Sequence, residues 1–197
     1  MTTQQQPEFL DLKTAQKAAQ SPVLDAEFHL PILRRWPVGM ADRAGVAQHF
    51  LYTSCRDYVS NAAAEYMRRQ KELMQEQKGG FVLTRDPKHS ALDRCSSLVA
   101  ASFRQLRTGR VVLMQDLLTL LKNNELPDIA MIAVPDFFDD SPALTSYSRQ
   151  LVMHFLAGQY LHSKATVLYV SSMREMRKVY GESVFEHVNT SYFIEQR

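Results

Sequence analysis

The chain has 197 residues, 45% of them hydrophobic and 22% charged, with a formal net charge of +2. These fractions are those of a soluble globular domain with enough residues to bury a real core, and so small a net charge does not by itself argue for nucleic acid. Only seven glycines are present, about half the ~7% of average usage. That shortage counts against phosphate-cradling loops, which need glycine at fixed places.

No apolar run approaches the ~18 residues of a membrane span. The opening MTTQQQPEFLDLK lacks the basic-then-apolar order of a signal peptide. Two cysteines, Cys55 and Cys95, make no disulfide framework, so a cytoplasmic protein with reduced thiols is expected. Residues 1–41 read as an arm punctuated by Pro7, Pro22, Pro31 and Pro37, with room for at most one short helix around Leu10–Ala19. The arm carries Phe28, Leu30, Ile32, Leu33 and Trp36, apolar side chains that pack on the core or dock on a partner.

Residues 42–197 read as one core domain. A helix is expected at 56–77, ended by Gly79-Gly80. Apolar runs then alternate with helical patterns: strand 81–84, helix 95–106, strand 111–114, helix 115–122, strand 129–134, helix 141–162 and strand 166–170. Ser172-Met173-Arg174-Glu175 matches a capping box opening a further helix, and Tyr192-Phe193-Ile194 reads as a last short strand. Strands alternating with helices give an α/β class with a parallel sheet covered on both faces.

Several local motifs, in this order, resemble the DnaC/IstB family of AAA+ ATPases, over roughly Asp42 to Ile194. Asp42-Arg43-Ala44-Gly45-Val46 resembles the short stretch before the family's ATPase core. Leu106-Arg107-Thr108-Gly109-Arg110-Val111-Val112 resembles the turn into its second strand. Ser172-Met173-Arg174-Glu175-Met176, followed by Tyr180-Gly181-Glu182-Ser183-Val184, resembles the segment running from the fourth strand into the GER-type helix. The resemblance implies a RecA-like core, ATP and magnesium binding, contacts with neighbouring subunits and a single-stranded DNA surface.

The nucleotide chemistry does not carry over residue by residue. A Walker A loop needs glycines, a lysine and a hydroxyl, yet no glycine occurs from Phe81 to Thr108. Counting back from Gly109 places Arg94 and Cys95 at the lysine and hydroxyl positions, with the Asp93 carboxylate beside them. An alternative placement uses Lys88 and Ser90. The Walker B acids fall on Ala133 and Val134, with Asp136, Asp139 and Asp140 following as a displaced acid or a solvated loop. The polar sensor position falls on Val170 to Ser172, and Ser172 reads as a helix cap. The arginine-finger positions fall on Ser183 and His187. Since phosphoryl transfer is almost entirely positioning and electrostatics, these substitutions describe a pseudo-ATPase with no cofactor.

Six histidines show no metal-ligand spacing, and Cys95 beside Arg94 reads as either a low-pKa thiol or a buried inert one. Residues 85–110 hold six basic side chains and residues 111–145 six acidic ones, either solvated faces or a bipolar partner surface. Trp36, Arg85, Lys88, Arg104 and Arg107 are the candidate partner or nucleic-acid contacts. The expected function is a non-catalytic, helicase-loader-like protein that binds a replicative helicase or another AAA+ subunit and modulates DNA replication or a mobile element. Two alternatives are a DNA-binding accessory resembling a transposition helper, and a divergent ATPase using Arg94 and Asp136.

Overall fold

A computed structural model describes residues 37–195 apart from 77, 106 and 139–143. The expectations for Trp36, the Leu10–Ala19 helix, the rest of the 28–36 segment, Asp139, Asp140 and Pro142 lie outside the described residues. Helix α1 (Pro37–Ala44) spans the expected 41/42 boundary. Gly45, at φ +64°, ends it: the Gly45 and Val46 amides donate back to the Asp42 and Ala41 carbonyls, a left-handed C-cap closure. Two 3-10 turns, Gln48–Leu51 and Cys55–Asp57, lead to α2 (Asn61–Gln75).

The core then alternates regularly: β1 (Gly80–Leu83), α3 (Ala91–Arg104), β2 (Gly109–Val111), α4 (Met114–Asn123), β3 (Met131–Phe138), α5 (Ser146–Leu161), β4 (Ala165–Val170), α6 (Met173–Tyr180), α7 (Glu182–Ser191) and β5 (Tyr192–Ile194). All five strands are parallel, in the order β2-β3-β4-β1-β5. The α/β class and doubly covered sheet expected from the sequence are present.

Side chains along the central strands alternate between two cores. Phe81, Leu83, Met131, Ala133, Val167 and Tyr169 pack with α1–α3 on one face. Val82, Ile132, Val134, Leu168 and Val170 pack with α4–α7 on the other. Burial on both faces explains why these strands read as apolar runs without a two-residue rhythm. Helix α3 is buried almost all round, from Arg94 to Ser102, because the sheet lies on one side of it and the α1–α2 segment on the other.

Helix starts follow local caps. Ser60, Ser90, Thr145 and Ser172 each accept a backbone N–H from three residues ahead, satisfying a donor that the first turn leaves unpaired. Helix α4 has Leu113 in that place and no side-chain cap from it.

Candidate functional site

In a sheet of this topology, ligands bind where strands end and helices begin, at the carboxyl edge. Here that place is the loop Thr84–Ser90 between β1 and α3. Its conformation is set by the chain's own side chains. Ser90 Oγ accepts the Asp93 amide at 3.1 Å and donates to Asp93 Oδ2 at 2.7 Å. Asp86 Oδ1 accepts the Lys88 amide at 2.7 Å and the His89 amide at 3.1 Å, which hold its carboxyl below the usual range. The Thr84 amide donates to Glu195 Oε2 at 2.9 Å.

A phosphate nest works by leaving such N–H groups free to face an anion. Three carboxylates of this chain, Asp86, Asp93 and Glu195, already sit against the loop. There is no glycine to open it and no lysine at the start of α3, so the residues present do not fit a nucleoside triphosphate.

Helix α3 starts at Ala91, four residues before the Cys95 start expected from the sequence. Asp93, Arg94 and Cys95 therefore lie inside the first helical turns and not in the loop. Arg94 is 1% exposed and its Nη2 donates to Glu195 Oε1 at 2.6 Å, while Nη1 donates to the Thr84 carbonyl at 2.6 Å. Cys95 is fully buried, and that burial pushes its thiol well up despite the Arg94 charge. It is placed as an inert thiol, not a reactive one.

Ala133 and Val134 are wholly buried in the middle of β3. Strand β3 extends past Val134, the end expected from sequence, to Phe138, and its register with β4 shifts between Val134 and Phe138. Leu83 at the end of β1 pairs with Tyr169, one step beyond the Val134–Leu168 pair. The β3 residues at the level of the loop are thus Pro135 and Asp136. Asp136 is partly buried, and its Oδ1 accepts the Met114 amide at 2.7 Å. It caps α4, whose Leu113 cannot. At the end of β4, Ser172 caps α6 through the Glu175 amide at 3.3 Å.

Ser183 is exposed on α7. His187 is turned inward, between the rings of Tyr160 (5.8 Å) and Tyr192 (6.1 Å), and burial lowers its pKa.

The candidate basic surface must be corrected. Arg104 is 2% exposed, with Nη1 donating to the carbonyls of Phe50 (3.0 Å), Leu51 (3.4 Å) and Thr53 (2.7 Å). Burial depresses its pKa to about 10. Arg94 is withdrawn likewise, and Arg107 is half-buried with Nη1 on Gln70 Oε1 at 2.8 Å. Arg85 and Lys88 are exposed in the loop, and Arg110 is exposed in β2. The 14 residues of α3 separate the loop from Arg107 by about 20 Å at 1.5 Å per residue, so the six basic residues form no single patch.

Glu195 was not a sequence candidate. Its partners stand 101 to 135 residues away, and no local pattern announces them. Asp136 left a weak signal, namely a helix opening after Leu113 without a capping residue. Elsewhere, a shallow cavity lined by Met74, Gly79, Tyr160, Leu161, Ser163 and Lys164 opens at the opposite edge of the sheet. Among the described residues no helix is long and apolar enough to cross a membrane, and no group of three or more His, Cys, Asp or Glu could hold a metal ion.

No protein-family model and no curated protein matches the sequence. Among solved structures, the chain is similar to the crystal structure of the DnaC helicase loader, with a TM-score of 0.53 and 15% identity over 75% of this chain and 98% of that one. At that identity the likeness is one of fold, the α/β parallel sheet described above.

Proposed function

We propose that this chain is a non-catalytic AAA+ module, a pseudo-ATPase that works by binding a protein partner. The observation that carries this reading is a loop whose Thr84, Lys88 and His89 amides are held by the chain's own carboxylates. Amides that would face phosphate are bonded to Asp86 and Glu195, and the first turn of α3 is closed by Ser90 and Asp93. Adding a polyanionic nucleotide would set its charge against those carboxylates and require the loop's own hydrogen bonds to break.

In this reading the module meets its neighbour through the sides of the α/β core. A likeness in fold to a helicase loader makes a replicative helicase, or another AAA+ subunit, the partner class to test first. The resulting role is modulation of DNA replication or of a mobile element without ATP-driven release. The DNA-accessory reading is weakened by the burial of Arg94 and Arg104, and nothing in the geometry favours the divergent-ATPase reading.

Two measurements test the proposal. A thermal-shift titration with magnesium-ATP is expected to leave the melting temperature unchanged at millimolar nucleotide, because ligand bound to the native state must raise it; a saturable rise refutes the non-catalytic reading. Affinity capture from the native host, with the mass of each retained subunit measured, is expected to recover a hexameric helicase or an AAA+ loader. Recovery of nucleic acid alone, lost on nuclease treatment, refutes the partner reading.

A further inference from the structure

We infer that Glu195 is a built-in ligand of the degenerate loop, an intramolecular carboxylate that clamps together the chain segments around it. The inference rests on the reading that the loop takes no nucleotide. Glu195 is 8% exposed and its carboxylate receives four donors. Arg94 Nη2 (2.6 Å) and Ser60 Oγ (2.5 Å) reach Oε1, while the Thr84 amide (2.9 Å) and Thr84 Oγ1 (3.3 Å) reach Oε2.

Those donors come from separate elements. Ser60 is the N-cap of α2, Thr84 is the first residue after β1, and Arg94 lies in α3. Glu195 itself directly follows β5, with its own amide on the Val82 carbonyl at 3.0 Å. Arg94 closes the ring by donating to the Thr84 carbonyl at 2.6 Å. Thr84 thus has its amide, hydroxyl and carbonyl all engaged, so the loop cannot change its departure angle from β1 without breaking this cluster.

Strand β5 needs such an anchor. It pairs with β1 through three residues only, Tyr192 to Ile194, and Phe193 between them is 38% exposed. A bound nucleotide can leave, whereas a carboxylate held by the polypeptide stays at fixed effective concentration. The clamp therefore holds loop, α3, α2 and β5 in one arrangement irrespective of nucleotide level, and presents a partner with an invariant surface.

Amide hydrogen exchange on the full chain tests this, comparing the wild type with Glu195→Gln and Glu195→Asp, each with and without magnesium-ATP. Glu195→Gln removes the charge at constant size; Glu195→Asp keeps the charge but shortens its reach, and covers the case in which the first variant does not fold. Exchange is expected to rise at least tenfold in 84–95 and 192–195, and in the first turn of α2, with smaller changes in α4 and α5. Glu195→Asp shows the same pattern at lower amplitude. A uniform rise across all elements, or none in 84–90, overturns the clamp. Protection of the wild-type loop by magnesium-ATP overturns the non-catalytic reading instead, and is seen independently of whether the two variants loosen it.

Discussion

Replacing Gly80 by alanine tests how tightly β5 is seated. Gly80 opens β1 and pairs with Tyr192 of β5. An added Cβ would fall inside the van der Waals envelope of the Tyr192 ring, at Cδ1, Cε1 and Cγ. The ring is 5% exposed and flanked by His187, so it cannot swing aside freely. Forcing an extra methyl into a packed site costs about 1–3 kcal/mol, and expelling the ring forfeits burial of about 1.5–3 kcal/mol. The expected loss is therefore about 2–4 kcal/mol, or a fall of roughly 4–16 °C in melting temperature for a domain of this size.

Gly158→Ala is the control. It makes the same chemical change inside α5, where a Cβ meets nothing within 4 Å. Relief of glycine's helix penalty should stabilise by about 0.5–1 kcal/mol. In a Tyr192→Ala background the cost of Gly80→Ala should drop below about 1 kcal/mol, because the two residues share one contact. Denaturant or thermal unfolding reads all of these. A neutral Gly80→Ala, or the same sign for Gly80→Ala and Gly158→Ala, would refute the reasoning.

Further expectations concern stability and pH. Gly45→Ala meets both a positive φ of +64° and the Val111 carbonyl at 3.1 Å, and should cost about 1–2 kcal/mol by unfolding. His187 has its pKa lowered by burial, so the native state prefers the neutral ring: stability is full above about pH 6.5 and falls as pH drops below it towards the folded pKa. His187→Phe should flatten that part of the melting-temperature profile, and an unchanged slope would contradict it. For Arg104, burying the charge opposes its three carbonyl bonds. Arg104→Met should stay within about 1 kcal/mol of the wild type in global stability, because removing the bonds also removes the desolvation penalty. Amide exchange should nonetheless rise around residues 50–54, and unaltered exchange there would show that the guanidinium does not hold the segment.

The parts of the fold legible in the sequence are those whose cause is local. Phe81 to Leu83, Ile132 to Val134 and Thr166 to Val170 are apolar on both faces because both are covered, and Ser172 to Glu175 announces its own helix. The apolar pattern places the start of α3 at Cys95, four residues late, because Ala91 to Arg94 carry little apolar rhythm. Ser90 and Asp93, a capping pair in the sequence itself, marked the true start. The apolar run ends at Val134, yet β3 continues through Pro135 to Phe138 with a register shift. Arg94 and Arg104 read as surface charges because charge is usually solvated. Their burial depends on Glu195 and on the carbonyls of the 50–53 segment, groups brought near only by the folded topology.

Both cysteines of the chain lie in the interior, Cys55 and Cys95 each fully buried with burial pushing the thiol up. Maleimide chemistry on the native protein should therefore leave them untouched. A single new thiol, such as Lys88→Cys in the exposed part of the loop, can then carry a fluorophore or a spin label with no background substitution. The same burial makes the two native thiols timers of unfolding, since each becomes reactive only when the core around it opens.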